Sequence, residues 1–406
     1  MTALPACDAL VVGGGPAGSA TAALLARRGL RVILADRAAF PRDKACAEFM
    51  SPETVRLLDR HGVLPRLEAA GGAALRGTSV TGPGGRRLAG EFARAPRPPW
   101  RPTGLAVPRR ILDHALLDAA RAAGVEVRER SAFLGLLREG PRVVGAVLRE
   151  AAGREVMVPT RLLVGADGLR TRVGRALGPR IHGHPGRIAM VAHVAGVDDL
   201  GSAAEMHVGA AGYAGLNPLG GGVANVAVVV PAARAAAARG DPEQWFFREL
   251  DSYPALRGRL RRDHLVRGLL VTGPFAVRCP EVTAPGALLV GDAAEFFDPF
   301  TGEGIWRALR GAELADAVAG PLLERGVAPD GPALRAYRRA RRRVFAGGWA
   351  VERLIAWSMH APPLFERAVA RLGARAGMAD TLVGVTGAFV PARAVLNPVF
   401  LARMLV

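Results

Sequence analysis

The first third of the chain alternates short, continuous apolar runs with longer helical stretches. Positions 8–12 (DALVV) and 30–35 (LRVILA) have strand length and almost no polar interruption, the pattern of strands buried on both faces of a parallel sheet. Between them 16–28 reads as a helix, with Gly29 as its C-terminal stop. A second, amphipathic helix is predicted over 112–123, followed by a strand over 125–128. Further buried strands are expected at 161–165 (RLLVG) and 287–291 (ALLVG). From about 185 to 280 the texture changes to longer β-like segments, RIAMVAHVAGV at 187–197 and GGVANVAVVV at 221–230. They predict an antiparallel sheet inserted into the first domain. The segment 232–240 (AARAAAARG) predicts a helix ending at Gly240, and from about 305 the pattern is mostly helical.

At 406 residues the chain exceeds what one hydrophobic core usually supports, so two packed domains are expected. The proline-rich stretch 95–102 (APRPPWRP) marks a change of direction or domain. The N-terminus does not read as a signal peptide, and the longest uncharged run, between 205 and 234, is broken by Pro218 and the glycines at 220–222. A transmembrane helix is therefore not expected. Three scattered cysteines predict a reducing, cytoplasmic setting. The net charge of +18 would fit an anionic partner, yet of 54 basic residues only Lys44 is a lysine. Arginine on that scale reads as a compositional habit, so no nucleic-acid partner is expected. The densest cluster, 335–343, predicts a solvated helix face, and the basic C-terminal helices are the candidate for peripheral membrane contact. The eight histidines show no metal-ligand spacing, so no metal is expected, and His182 with His184 predicts a surface turn.

Gly13, Gly15 and Gly18 form G-x-G-x-x-G between the first strand and its helix. Such a loop permits a tight turn, lets backbone approach a pyrophosphate, and allows close helix–sheet packing. Pro16 and Ala17 open the helix, whose N-terminus presents free N–H groups and a positive dipole end. Asp36 ends the second strand, placed to accept from ribose hydroxyls, with Arg37 beside it. Two later glycine motifs follow buried strands: GADG at 165–168, with Asp167, and GDAA at 291–294, continuing as EFFDPFTGEGI to Ile305. A carboxylate at Asp292, after Gly291, suits the hydroxylated ribityl chain that only a flavin carries. Gly302 and Gly304 allow backbone to lie against a flat ring, so FAD is the expected cofactor. Pro299, Thr301, Glu303 and Ile305 belong to the same ring-facing candidate set.

Taken together, VVGGGPAG, FPRDKACAEFMSPE at 40–53, VPRRILDHALL at 107–117, GADG and GDAAEFFDPFTGEGI resemble the geranylgeranyl reductase-like branch of the group A flavoprotein monooxygenase superfamily. The resemblance covers roughly 1–320. It implies an α/β, para-hydroxybenzoate hydroxylase-like fold: a Rossmann-like FAD-binding domain with an inserted antiparallel β-sheet substrate domain and a helical C-terminal region. The FAD-binding domain would comprise 1–75, 103–184 and 281–330, the substrate domain 76–102 and 185–280, and the C-terminal region 331–406. The match also implies Arg109, four residues before Asp113, as an FAD contact. Thr171 stands where the family usually has Ser, the usual Cys-Gly is Cys46-Ala47, and the reductases' Tyr-x-Trp-x-Phe-Pro reads YAGLNP at 213–218. Related halogenases carry a catalytic lysine after the first β-α-β unit and a Trp-x-Trp-x-Ile-Pro segment. Neither is found here, so halogenation is set aside.

Lys44, the one lysine among 54 basic residues, is a candidate catalytic and flavin-contacting ammonium. Cys46 is either a packed small hydrophobe or a candidate catalytic thiol near the flavin. Tyr213 and Asn217 are candidate orienting groups for a small-molecule substrate in an apolar pocket, with Phe297 as candidate lining. The leading expectation is an FAD-dependent monooxygenase hydroxylating an aromatic or polyketide-like molecule of secondary metabolism. NAD(P)H would act as a transient reductant, because only one nucleotide-binding glycine loop is present. Reduction of isoprenoid C=C bonds ranks second.

Overall fold

The computed structural model describes residues 2–183 and 186–405; His184 and the expected boundary at 184/185 lie outside them. At its centre the strand Cys7–Val12 is paired in parallel with Glu155–Gly165 on one side and Val32–Ala35 on the other. Glu126–Arg128 continues the sheet beyond Val32–Ala35, and Ala287–Leu289 joins Glu155–Gly165, all in parallel. The hairpin Ala132–Glu139 and Arg142–Arg149 extends the same sheet in antiparallel fashion. The strand expected at 161–165 starts six residues earlier. Its first half alternates buried and half-buried positions against that hairpin, whereas only its second half is apolar throughout.

The helix Pro16–Ala26 leaves the glycine loop and is buried on nearly every side, beneath Arg109–Ala122 and Gly304–Glu324. Its small residues make that burial feasible, and Gly29, at φ +80°, ends the excursion. The second helix begins at Arg109 rather than 112, directly after Pro108. Its polar first turn had masked the start.

The second sheet has seven strands in the order Leu265–Thr272, Arg187–Ala195, Val223–Pro231, Tyr213–Gly220, Ala203–Val208, Gly77–Thr81, Arg87–Glu91. It is antiparallel apart from one parallel pair, Ala203–Val208 with Gly77–Thr81, where two remote stretches of chain meet. One face, carrying Met190, Ala192, Ala214, Val226 and Val228, is buried under Trp245, Phe246 and Leu250 of the helix Pro242–Asp251. The alternate residues form the opposite face, and it looks toward the first sheet. The segment 232–240 forms two short helical turns, Ala232–Ala235 and Ala236–Ala238.

Four helices, Gly331–Ser358, Pro362–Gly373, Ala376–Thr386 and Pro398–Leu405, make up the C-terminal part. Gly331–Ser358 lies along Gly304–Glu324, while Ala376–Thr386 closes on the edge strand Arg87–Glu91. There Asp380 accepts the Glu91 N–H at 2.7 Å. No helix among the described residues is long and apolar enough to cross a membrane.

Candidate active site

A cavity of about 1820 Å³, its open mouth included, lies between the two sheets. It is lined on one side by the glycine loop and the segment 299–305, and on the other by Ala189, Val191, Ala227 and Val229 of the second sheet.

At its base is the glycine loop. A Cβ on Gly18 would sit 1.7 Å from the Gly13 carbonyl oxygen, and one on Gly13 would sit 2.4 Å from that of Ala166. These two glycines therefore serve close packing of loop, helix and sheet rather than ligand contact. A Cβ on Gly15 would meet nothing nearer than the Arg42 and Arg109 guanidinium nitrogens, at 3.8 and 3.9 Å. Gly15, Pro16 and Ala17 thus face open space flanked by two cations, at a helix N-terminus with no side-chain cap. That is an anion cradle of pyrophosphate type. Arg109 is aimed by Asp113, which accepts its Nε at 2.7 Å and Nη2 at 2.8 Å, and Asp113 also lies 3.2 Å from Arg42 Nη1. Arg42 was not singled out from the sequence; its place two residues before Lys44 in the FPRDKAC motif was the available signal.

Asp36 is buried, with its oxygens accepting the N–H groups of Gly14 (2.6 Å) and Ala38 (2.8 Å). Each oxygen keeps a second lone pair for a ribose hydroxyl. Arg37, expected beside it, is exposed and does not line the cavity. It stands in the bend that follows the strand Val32–Ala35, on the outside of the turn.

Lys44 and Asp292 stand in the cavity wall close to Arg109. Burial pushes the Lys44 ammonium down, with the Arg109 charge adding to it. Burial pushes the Asp292 carboxyl up, against the pull of Lys44 and Arg109. Asp292 has no hydrogen-bond partner and no ion pair within 4 Å among the described residues, so it is an acceptor suited to a polyol. Asp292→Ala is expected to weaken FAD by about 10- to 100-fold, the weight of one hydrogen bond to a charged group. The apoprotein should be as stable as wild type or more so at pH 8, because a desolvated carboxylate has gone. Equilibrium titration of apoprotein with FAD checks the first outcome, and unchanged affinity would refute the assignment.

In GADG, Ala166 and Gly168 line the cavity but Asp167 does not. Its carboxylate accepts the N–H groups of Arg172 (2.6 Å) and Val173 (3.2 Å) and the Thr171 hydroxyl. Asp167 is thus committed to the N-terminus of the helix Arg172–Leu177, where Thr171 is the N-cap, and the expectation of a cofactor contact is corrected. Phe297 is corrected as well. Phe296, the last residue of the short strand Glu295–Phe296, lines the cavity, whereas Phe297 just beyond it does not and lies under the Arg353 guanidinium.

Gly291 and the segment from Pro299 through Thr301, Gly302, Glu303 and Gly304 to Ile305 line the cavity. Gly302 adopts φ +70°, which favours glycine. Glu303 pairs with Arg307, which also donates to Glu352 of the helix Gly331–Ser358 at 2.9 Å. Burial raises Glu352 to about 7, Arg307 opposing and Glu303 reinforcing the shift. Arg341 of the same helix, buried within the arginine cluster read as solvated, donates to Glu295 at 2.7 Å and also lines the cavity. Its neighbours 335, 338, 339, 342 and 343 are exposed. The inward position was signalled by Leu334, Tyr337, Arg341 and Phe345 falling on one helical stripe.

The cavity face of the second sheet is small and apolar in its middle, with Ala189, Val191, Gly215, Ala227 and Val229. Arg187 and Tyr213 close one end, where Asp298 accepts the Tyr213 hydroxyl at 2.5 Å and Arg187 Nη1 at 3.1 Å. Burial, and then the Asp298 charge, hold the Tyr213 phenol well above its ordinary range, so it stays protonated. His193, Asn217 and Asn225 close the other end, against the Cys46 segment. Cys46 and Asn217 both line the cavity.

The cavity thus combines an anion cradle at Gly15, Arg42 and Arg109, a carboxylate without a partner among the described residues at Asp292, and a glycine edge at Gly302 and Gly304. Comparison with known proteins agrees. The profile of an FAD-binding domain matches residues 6–347. A digeranylgeranylglycerophospholipid reductase of Methanosarcina mazei is 29% identical over 77% of this chain and 74% of its own length. A menaquinone reductase of Mycolicibacterium smegmatis is 32% identical over 76% of this chain and 75% of its own. The myxobacterial chondrochloren halogenase superposes with a TM-score of 0.79 at 26% identity, covering 95% of this chain and 97% of its own. The chain belongs to the FAD-binding-domain family, in the geranylgeranyl reductase-like branch of the group A flavoenzymes, and is an FAD-dependent oxidoreductase.

Proposed function

We propose that this flavoenzyme reduces a C=C bond in an extended, isoprenoid-type substrate. The observation that carries this reading is the apolar window on the second sheet, from Ala189 and Val191 across to Gly215, Ala227 and Val229, closed by polar groups at both ends. Between the closing positions 187 and 193 the strand leaves an apolar stretch of roughly 13 Å at Ala189 and Val191, enough for about two isoprene units laid lengthwise. The names of the reductases among the relatives support the same reading, which moves ahead of the hydroxylation expected first from the sequence.

Once reduced by NAD(P)H, the proposed transient reductant, bound FADH2 would supply the two added hydrogens, one as hydride and one as a proton. The chain's own residues hold and shield the reacting pair. Arg42 and Arg109 neutralise the pyrophosphate, Asp292 anchors the ribityl hydroxyls, and the apolar face excludes water. The protonated Tyr213 phenol, fixed by Asp298, orients the polar end of the substrate. Peripheral membrane contact through the basic C-terminal helices fits a lipid substrate of this kind.

Hydroxylation of an aromatic or polyketide-like molecule is the second reading. It is favoured by Gly215 and Asn217, which stand where the reductase pattern has Trp and Phe and leave the cavity wide. Anaerobic incubation of dithionite-reduced protein with a polyprenyl substrate separates the two. The expected product carries two added hydrogens and no oxygen. A product formed only in air, with oxygen incorporated, would establish the second reading instead.

A further inference from the structure

His193, Asn225 and Asn217 form one row across three neighbouring strands, His193 opposite Asn225 and Asn225 opposite Asn217. All three are buried, at 7%, 1% and 4% exposure, and all three meet one segment of the cofactor domain. Asn225 Nδ2 donates to the Cys46 carbonyl and to Glu48 Oε2, both at 2.8 Å. Asn217 Nδ2 donates to the Ala47 carbonyl at 3.1 Å. His193 Nε2 lies 2.7 Å from Glu48 Oε2, and the Arg109 N–H donates to Glu48 Oε1 at 2.8 Å. The Glu48 N–H in turn donates to Cys46 Sγ at 3.3 Å.

Glu48 is fully buried and has φ +57°. A non-glycine residue in that region costs about 1–3 kcal/mol and persists only where its surroundings over-determine it. Packing alone needs neither the strain nor the buried carboxylate, since apolar residues at 48, 193 and 225 would fill the same space. What the polar set achieves is placement. It fixes the backbone from Cys46 to Glu48, and so the side chains of Lys44 and Cys46, against the sheet that forms the substrate window.

We propose that Glu48, clamped by His193 and Asn225, is a positioning residue that locks the Cys46 segment of the cofactor domain onto the substrate sheet. The clamp acts in the same way whichever reaction the cavity supports.

Thiol labelling of the FAD-loaded protein tests this, because Cys46 is half-buried whereas Cys7 and Cys279 are buried. Peptide mass after iodoacetamide treatment reports the Cys46 rate. His193→Ala and Glu48→Gly are expected to raise that rate about tenfold, the weight of one buried hydrogen bond. His193→Gln, which keeps an N–H donor, should return it to within about twofold of wild type. Should His193→Ala fail to fold, Asn225→Ala carries the same expectation. Wild-type labelling rates in His193→Ala and Glu48→Gly, with unchanged circular dichroism and flavin absorbance, would overturn the proposal. So would a His193→Gln variant that labels as fast as His193→Ala.

Discussion

Gly15→Val is expected to give a folded apoprotein that no longer takes up FAD, whereas Gly18→Ala is expected to fail during folding. The two glycines belong to one motif but meet different surroundings. Gly15 has extended backbone, φ −75° and ψ −175°, which valine adopts without strain, and its Cβ direction is open to about 3.8 Å. The apoprotein therefore loses no more than about 1 kcal/mol of helix capping. The open space is the one the pyrophosphate needs, and two isopropyl methyls placed there push it off the helix N-terminus. Losing two charge-assisted bonds of about 1.5–3 kcal/mol each weakens FAD by roughly two to four orders of magnitude. At Gly18 the added carbon would stand 1.7 Å from the Gly13 carbonyl oxygen, so the loop and helix must separate before any cofactor arrives. Circular dichroism with flavin titration distinguishes the two outcomes. Retained FAD in Gly15→Val would dissociate this loop from pyrophosphate binding.

The contrast also shows what a linear motif conveys. Gly15, Asp36 and Asp292 were legible because each stands just after a buried strand, and such strands end at the same edge of a parallel sheet. The segment 299–304 was legible from its glycines at the start of the next helix. Residues next to these in the chain were less so. Arg37 and Phe297 each sit next to a site residue and face the other way, and Asp167 satisfies a helix terminus a few residues on. Arg37 and Phe297 both lie just past a strand end, where the alternation that fixes a face inside the strand no longer applies.

Groups assembled from remote stretches were harder still. Glu48 becomes informative only when His193 and Asn225, some 145 and 177 residues away, are seen to close on it. Glu352 and Arg341 reach the cavity from the C-terminal helix beyond the most diagnostic motifs. The parallel pairing of Ala203–Val208 with Gly77–Thr81 is of the same kind. An alternating pattern announces a strand and its faces, but not its neighbours.

Asp113→Ala should lose far more stability than Asp292→Ala or Gly15→Val, and FAD should partly restore it. Asp113 is completely buried and pairs side-on with Arg109, itself only 5% exposed, while Arg42 approaches within 3.2 Å. Removing the carboxylate leaves two guanidinium groups facing one another in a poorly solvated cradle. Breaking a buried pair in this way typically costs about 3–5 kcal/mol, mostly from the charge left without a partner. Asp113→Asn keeps one acceptor for Arg109 and should lose less. The pyrophosphate brings negative charge to the same two arginines, so saturating FAD relieves part of the repulsion. At one fixed saturating FAD concentration the stabilisation grows as the dissociation constant falls, and the pyrophosphate is worth more to the variant's uncompensated arginines than to the paired ones of wild type. The apo forms of wild type and Asp113→Ala should therefore differ more in thermal midpoint than the two holo forms do. Thermal unfolding followed by circular dichroism, with and without FAD, measures both gaps. Equal midpoints for the two apo proteins would show that Asp113 is not what holds the two arginines in place.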